Sequence, residues 1–381
     1  MKVVISCSGK FHAFALAEQL EKNGMLDTLY TAYSSIKNPI AKLLVSRRDK
    51  EKINKNKIST CLPIAFGMKL YKNPFFWNDL FDMWVAFNIR RSDASVFIGW
   101  SGMSLHSLNA AKKKGMIVIL ERGSSHIQLQ QQILNEEYKN FGIDFQIDKK
   151  TIAKELIEYS VSDYISIPSI FVQDSFLEYG VDRSKLILNN YGVGGYFIKR
   201  EVDKNDLFTV LYLGKLSIQK GLIYLFDAIL SLTKKGYNIK CLFVGTIDQD
   251  FEPTVQSYRD NNLVFIGQRD HYSLSDIISG CDIAVQPSLQ DGFGMVVPQI
   301  LACGVPVIVS ENTGAADIIE DDKNGYIVPI RNSKAIADRI EFLYLNSEKL
   351  AEMKQNVLSN PLDLSWDAYG DRYVDFFSKN V

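Results

Sequence analysis

The stretch from Ala284 to Val309, AVQPSLQDGFGMVVPQILACGVPVIV, constrains the fold more than any other part of the chain. An apolar run from Cys281 to Val285 has the composition of a buried strand and breaks at Pro287-Ser288. Asp291-Gly292-Phe293-Gly294 follows, then a helix-compatible run, Gly304, and a second strand-like run from Val305 to Val309. Strand, loop, helix, strand is the order of a parallel α/β unit. In such sheets ligands bind beyond the carboxyl ends of the strands, where loops meet helix N-termini. Gly292 and Gly294 let the backbone approach a phosphate closely. Asp291 and Gln299 are spaced at just over two helical turns, so both side chains can point toward one cleft. A capped βαβ unit with two solvated polar residues fits the same spacing.

At 381 residues the chain is long for one core, and its 46% hydrophobic content suffices for two. The formal net charge is -1, but residues 1–200 hold 27 Lys+Arg against 19 Asp+Glu, and the remainder 16 against 25. The first half is therefore the one expected to meet an anionic partner. Five scattered cysteines (Cys7, Cys61, Cys241, Cys281, Cys303) have no metal-site spacing and read as reduced core residues of a cytosolic protein. The opening MKVVISCSGKFHAF has too short an apolar run for a signal peptide, and no stretch is long enough to span a membrane.

In chain order, Lys2 to Cys7 is a strand that runs into Ser8-Gly9-Lys10 and an amphipathic helix. His12, in the first turn of that helix, either faces a cleft or caps the helix. Ser95 to Ile98 ends at Gly99-Trp100-Ser101-Gly102, and Met116 to Leu120 ends at Glu121-Arg122-Gly123-Ser124-Ser125-His126. These glycine-bearing turns all point at one face. Residues 195–207, GYFIKREVDKNDL, lack apolar periodicity and form the linker. Phe208 to Tyr212 opens the second domain, with Lys215 and Lys220 in the turn before a helix from Leu222. Two ammonium groups beside a helix N-terminus would neutralise a departing diphosphate. Further strands end at Gly245 and at Gly267-Gln268-Arg269, whose loops would hold a base and ribose.

Residues 40–58 interleave basic and apolar side chains, from Lys42 through Lys57, and read either as a solvated loop or as a segment lying on an anionic membrane. The aromatic residues Phe75-Phe76-Trp77, Phe81, Trp84 and Phe87 that follow suit core packing or a membrane belt.

PSLQDGFGMVVPQILACGVPVI resembles the nucleotide-sugar motif of the retaining glycosyltransferases of family 4. That family usually has Glu at the positions held here by Asp291 and Gln299. The resemblance implies an α/β protein of GT-B fold, two Rossmann-like domains facing each other across a cleft. The expected domains are residues 1–195 on the acceptor side, 206–360 on the donor side, and 361–381 as a helix packing back on the first domain. It implies a retaining, metal-independent transfer of a hexose or related sugar in bacterial surface polysaccharide or glycolipid assembly. The donor would be UDP- or GDP-linked, with no other cofactor and no nucleic-acid partner. The acceptor would be a glycan or lipid-linked, and the protein cytoplasmic, in possible contact with the inner membrane face through residues 42–57. His126 takes the place of the family's sugar-contacting histidine, although a histidine in such a loop reads as structural from the residues alone. Gly9 and Lys10 become cleft residues, and one of Glu121 and Arg122 serves the acceptor side. Catalysis is thus expected of His126, Lys220 and Asp291. Donor binding falls to Gly9, Lys215, Lys220, Gln268, Asp291, Gly292, Phe293, Gly294, Met295 and Gln299, with no metal ligands. A non-catalytic nucleotide-binding relative, or an epimerase- or phosphorylase-like GT-B enzyme, would share the architecture.

Overall fold

The structure, a computed structural model, describes residues 1–32, 53–71, 73–202, 207–258, 260–360 and 363–381. Most of the basic stretch expected to touch a membrane, through Lys52, lies outside these residues.

The first lobe contains β1 (Val3–Ser6), β2 (Leu26–Thr31), β3 (Ile58–Thr60), β4 (Val96–Trp100), β5 (Ile117–Glu121), β6 (Tyr164–Ile167) and β7 (Leu186–Leu188). They form one parallel sheet in the order β3-β2-β1-β4-β5-β6-β7. Its helices are α1 (Ala13–Lys22), α2 (Leu62–Leu70), α3 (Pro74–Ile89), α4 (Leu105–Lys113), α5 (Ile127–Asn140), α6 (Lys149–Val161) and α7 (Ile170–Glu178). The second lobe contains β8 (Phe208–Leu213), β9 (Ile239–Val244), β10 (Leu263–Phe265), β11 (Ile283–Gln286), β12 (Val307–Ser310) and β13 (Gly325–Val328). These pair in parallel as β10-β9-β8-β11-β12-β13. Its helices are α8 (Leu222–Lys234), α9 (Glu252–Ser257), α10 (His271–Ser279), α11 (Val296–Ala302), α12 (Ser333–Leu345) and α13 (Ser347–Ser359). A last helix, α14 (Trp366–Asn380), packs on α1 of the first lobe.

The central strands are apolar at consecutive positions because helices cover both faces of each sheet; VFIGW of β4 and VIVS of β12 are buried throughout. Both sheets are Rossmann-like, with strand order reversing beside the first strand, between β1 and β4 and between β8 and β11. A crevice opens at the carboxyl ends of the strands at each reversal, which is where such folds bind ligands. Tyr369, Tyr373 and Phe377 of α14 sink into the first lobe's core beside Val3, Ile5 and Leu16. Each fully buried aromatic of this kind stabilises the folded state by about 2–3 kcal/mol relative to exposure.

The two lobes touch along a polar seam. Arg331 Nε and Tyr224 Oη, from the second lobe, donate to the fully buried carboxylate of Glu137 at 2.7 and 2.8 Å. Ser169 Oγ donates to the Gly292 carbonyl at 2.7 Å, and the Ile170 amide donates to Asp317 Oδ2 at 2.7 Å. Gly292 is required here by space: a Cβ would overlap the carbonyl oxygen of Gly123 in the other lobe.

Candidate active site

The first lobe's reversal point is bounded by the loop after β1 and the ends of β4 and β5. His12, the residue before α1, projects into it. Its Nε2 lies 3.1 Å from Oε2 of Glu121, the last residue of β5. Glu121 is 1% exposed, and its other oxygen accepts from Tyr369 Oη at 2.8 Å and from Tyr373 Oη. Burial alone would raise the Glu121 carboxyl. The hydrogen bond and charge of His12, with the two tyrosine hydroxyls, outweigh it and leave the pKa below the ordinary value. An ionised carboxylate only accepts, so the hydrogen between the two groups lies on Nε2 of His12, which fixes the orientation of the ring.

Around this pair is a cavity of about 520 Å³ lined by Phe11, His12, Trp100, Glu121, Arg122, Tyr191 and Trp366, with Met295 entering from the second lobe. The His12 ring lies 4.1 Å from the Tyr191 ring, 5.0 Å from Trp100, and parallel to Trp366 at 6.4 Å. Trp100 Nε1 and Tyr191 Oη are buried with no hydrogen-bond partner among the described residues. Unpaired buried polar atoms are costly, and here they line a space walled by aromatic rings, the chemistry that receives a sugar ring and its hydroxyls. Arg122 turns away from the cavity's centre, paired at 2.8 Å with Glu155 and donating to the Ser125 carbonyl.

The second lobe contributes the loop between β11 and α11. Asp291 Oδ1 accepts from the Gly294 amide at 2.9 Å, and Oδ2 is ion-paired with Lys220 Nζ. Lys220 ends a 3₁₀ turn, Ile218–Lys220, directly before α8. The structure thus joins Lys220 to Asp291. It sets Lys215 on another carboxylate, exposed and 2.7 Å from Asp248.

The remaining expected residues divide. Met295 faces the cavity, and Gly294, at φ +78°, turns the chain into α11. Phe293 is 1% exposed, its ring 5.5 Å from Tyr191 in the core between the lobes, so its side chain serves packing. The helix after this loop begins only at Val296, so Asp291 stands outside it, and Gln299 is half-buried on α11. Gln268 is exposed beyond β10. Gly9 lies against the ring of Phe11, whose φ is +31°.

His126 is placed differently from its expected role at the donor sugar. It is 2% exposed and caps the N-terminus of α5, with Nδ1 accepting from the Gln128 amide at 3.4 Å. Its ring stacks on Tyr179 at 4.5 Å and packs against Phe176 and Tyr159. Burial, with the nearby Arg122 charge, lowers its pKa to about 4. The cleft histidine is His12, 3.1 Å from a carboxylate at the end of an otherwise apolar strand. That lone charge after Ile117 to Leu120 was the available signal for the pair.

Among the described residues, Asp79, Asp82 and His106 bring three potential metal ligands together. Lys154 Nζ already sits 3.0 Å from Asp79 and 3.6 Å from Asp82. Asp82 also accepts from the His106 and Ser107 amides, capping α4. This cluster is a lysine-neutralised helix cap.

With the geometry in place, comparison with known proteins finds that residues 197–359 match the family described as Glycosyl transferases group 1. The matched residues contain Lys215, Lys220 and the Asp291 loop. The chain is 34% identical over 155 residues to the capsular polysaccharide biosynthesis glycosyltransferase CapM of Staphylococcus aureus, covering 39% of each protein. It is 24% identical over 243 residues to the N,N'-diacetylbacillosaminyl-diphospho-undecaprenol alpha-1,3-N-acetylgalactosaminyltransferase of Campylobacter jejuni, covering 58% of this chain and 63% of that one. The chain spans about half the length of the curated relatives it matches. Over the whole of both chains the structure matches Anabaena HepE in complex with UDP-glucose, with TM-score 0.71 and 14% identity. Sucrose-phosphate synthase from Thermosynechococcus elongatus gives TM-score 0.71 at 16% identity, covering 100% of this chain and 98% of that one. The two lobes together therefore have the GT-B fold.

Proposed function

We propose that this chain is a glycosyltransferase that moves a hexose or related sugar from a UDP-linked donor to an acceptor hydroxyl in surface polysaccharide or glycolipid assembly. The observation that carries the reading is the meeting of the two reversal points: Met295, from the Asp291 loop of the second lobe, closes the cavity around His12 and Glu121. UDP is preferred to GDP because HepE, of the same fold, is described with UDP and UDP-glucose.

In this reading Lys220 exchanges its Asp291 partner for the donor diphosphate. Its ammonium and the loop amides of residues 292–295 stabilise the negative charge that grows as the sugar departs. Because these protein groups balance that charge, the route is metal-independent. The bond from the anomeric carbon to the diphosphate oxygen breaks, and the acceptor oxygen bonds to that carbon on the same face. The acceptor's proton passes to the departing oxygen, so configuration is retained, in keeping with the resemblance of the loop to retaining enzymes. Asp291, released from Lys220, fixes sugar hydroxyls. His12 accepts from a substrate hydroxyl through Nδ1, while Trp100 Nε1 and Tyr191 Oη engage neighbouring oxygens. The acceptor is a glycan or a lipid-linked sugar at the inner membrane face.

The test is a thermal-shift series with UDP- and GDP-linked sugars, followed by donor turnover. A true donor at on the order of a hundred times its Kd raises stability by about 3 kcal/mol. No shift with any nucleotide sugar, and no release of nucleotide, would remove the assignment.

A further inference from the structure

The turn that joins β4 to α4, from Trp100 to Ser104, walls the cavity through Trp100, Ser101 and Met103. Gly102 lies within it at φ +81°, a left-handed conformation that favours glycine. Ser104 stands at the N-cap of α4, yet its hydroxyl donates back to the Trp100 carbonyl at 2.9 Å and leaves the helix uncapped from within. The exposed amides are met by other helices. Glu158 of α6 accepts from Gly102 and Ser104 at 2.6 and 2.9 Å, one carboxylate oxygen to each. Asp82 of α3 accepts from His106 and Ser107, one turn further on. Glu158 and Asp82 are both fully buried.

Only the amides held by Glu158 belong to the cavity wall, and that wall leads to the histidine. The Ser8 amide donates to Met103 Sδ at 3.3 Å, and Ser8 begins the loop that carries Phe11 and His12 into the cavity. The Ser101 amide donates to the Glu121 carbonyl at 3.0 Å, so the same turn also touches the partner of His12. A thioether is a weak acceptor, and its hold on Ser8 depends on Met103 being kept in place by the residues on either side. Those residues are Gly102 and Ser104.

The charges around Glu158 set when it can do this. On its own helix are Lys154, which sits 3.6 Å from Asp82 and 3.0 Å from Asp79, and Glu155, which is paired with Arg122 of the cavity wall. His106 of α4 faces the same cluster, 3.4 Å from Asp79. Burial raises the Glu158 carboxyl, the Ser104 and Gly102 amides and Lys154 oppose it, and Glu155 adds to it, leaving a pKa of about 7. The amides favour the ionised form, so by linkage a proton taken up weakens the amide bonds to the same extent. In structural terms, the oxygen that binds the proton becomes a donor facing an N–H.

We propose that Glu158 is a positioning residue for the transfer: its carboxylate fixes the Trp100–Ser104 turn and, through Met103 and Ser8, the loop that presents His12 to substrate. The proposal rests on the transferase reading for its purpose, while positioning itself is measured without donor or acceptor.

Glu158→Gln keeps the side chain's size and one accepting oxygen but turns an N–H toward the second amide. Hydrogen exchange by mass spectrometry on the full chain reads the peptides covering residues 100–106 and 7–14. Both are expected to exchange about tenfold faster in the variant, with the second-lobe peptides unchanged. Turnover of UDP-glucose and UDP-N-acetylglucosamine is followed between about pH 6 and 8.5. Wild-type turnover is expected to fall on acidification through about pH 7, the range in which Glu158 takes up its proton. The variant is expected to start about tenfold lower at the alkaline end and to lack that step, with a donor thermal shift equal to the wild type's. Glu158→Asp, which keeps the charge and withdraws it by one methylene, serves if the amide variant does not fold; faster exchange in both peptides with the pH step retained is then expected. Unchanged exchange in residues 7–14, wild-type turnover in the variant, or a step near pH 7 that persists in Glu158→Gln would overturn the proposal. Faster exchange in both peptides, with a wild type that neither binds nor turns over any UDP-sugar, would remove the transferase reading and leave the link from Glu158 to the His12 loop standing.

Discussion

His12 and Glu121 are 109 residues apart in sequence and 3.1 Å apart in space, and Glu121 is in turn held by two tyrosines of α14. The imidazole is therefore oriented by a carboxylate that is itself fixed. Replacing the carboxylate by its amide removes the charge and the acceptor that define this arrangement. Glu121→Gln is expected to lower donor turnover by about 10²-fold, the scale of a misplaced reacting group, with a smaller change in KM. Steady-state kinetics with circular dichroism as the folding control checks this; wild-type turnover in the variant would detach Glu121 from the chemistry.

Lys220 and Lys215 should behave differently although both follow β8. Lys220 meets Asp291 at the cleft, whereas Lys215 is exposed and paired with Asp248. Lys220→Ala is expected to cost about 10²–10³ in turnover, as for other groups that stabilise developing charge. Its effect on stability should stay within about 1 kcal/mol, because the ion pair is partly solvated. Lys215→Ala should reduce turnover by less than about tenfold, on the scale of a single solvated charge contact. Equal losses in the two variants would mean that the diphosphate lies between them and not at Lys220.

Gly292→Ala tests the seam between the lobes. The added methyl group would overlap the Gly123 carbonyl, so either the loop shifts or the lobes part. A loss of about 1–3 kcal/mol in unfolding free energy is expected from such overpacking, together with weaker donor binding. Denaturant titration and donor thermal shift measure the two effects; a variant as stable as the wild type would show that the lobes do not hold this approach in solution.

His126 supplies a pH dependence that separates structure from catalysis. Its folded pKa is depressed to about 4 from 6.5, so the unfolded chain takes up the proton first as pH falls. Its contribution to stability is therefore present above pH 6.5 and is lost on acidification toward pH 4, by up to about 1.4 kcal/mol per pH unit. His126→Asn keeps a capping side chain and removes the titration. Its melting temperature should fall less steeply between pH 6.5 and 4 than that of the wild type, and its donor turnover should remain near normal. Loss of turnover without a change in slope would return His126 to the active site.

The architecture was legible because buried parallel strands write themselves as apolar runs, and each run here ends in glycine or a polar turn. The same logic located the Lys220 turn and the Asp291 loop, which come together in space. What stayed hidden depends on packing between distant segments. Whether His12 faced the cleft or capped its helix turned on Glu121, and the hold on Glu121 turned on Tyr369 and Tyr373, far along the chain. His126 looked equally suited to a sugar until its ring was found stacked on Tyr179. Phe293 read as part of a phosphate loop but fills the core between lobes. The aromatic spacing of α3 could not say which rings point inward; Phe81 does, while Phe76 and Phe87 do not.

The grip of α14 on Glu121 bears on how the cavity comes into being during synthesis. A ribosome delivers β5 long before residues 366–380, so the nascent first lobe exposes a carboxylate whose tyrosine clasp has not yet been made. Competence would then arrive only after α14 swings back onto α1, which makes deletions or fusions near residue 373 a lever on activity that leaves every cleft residue in place.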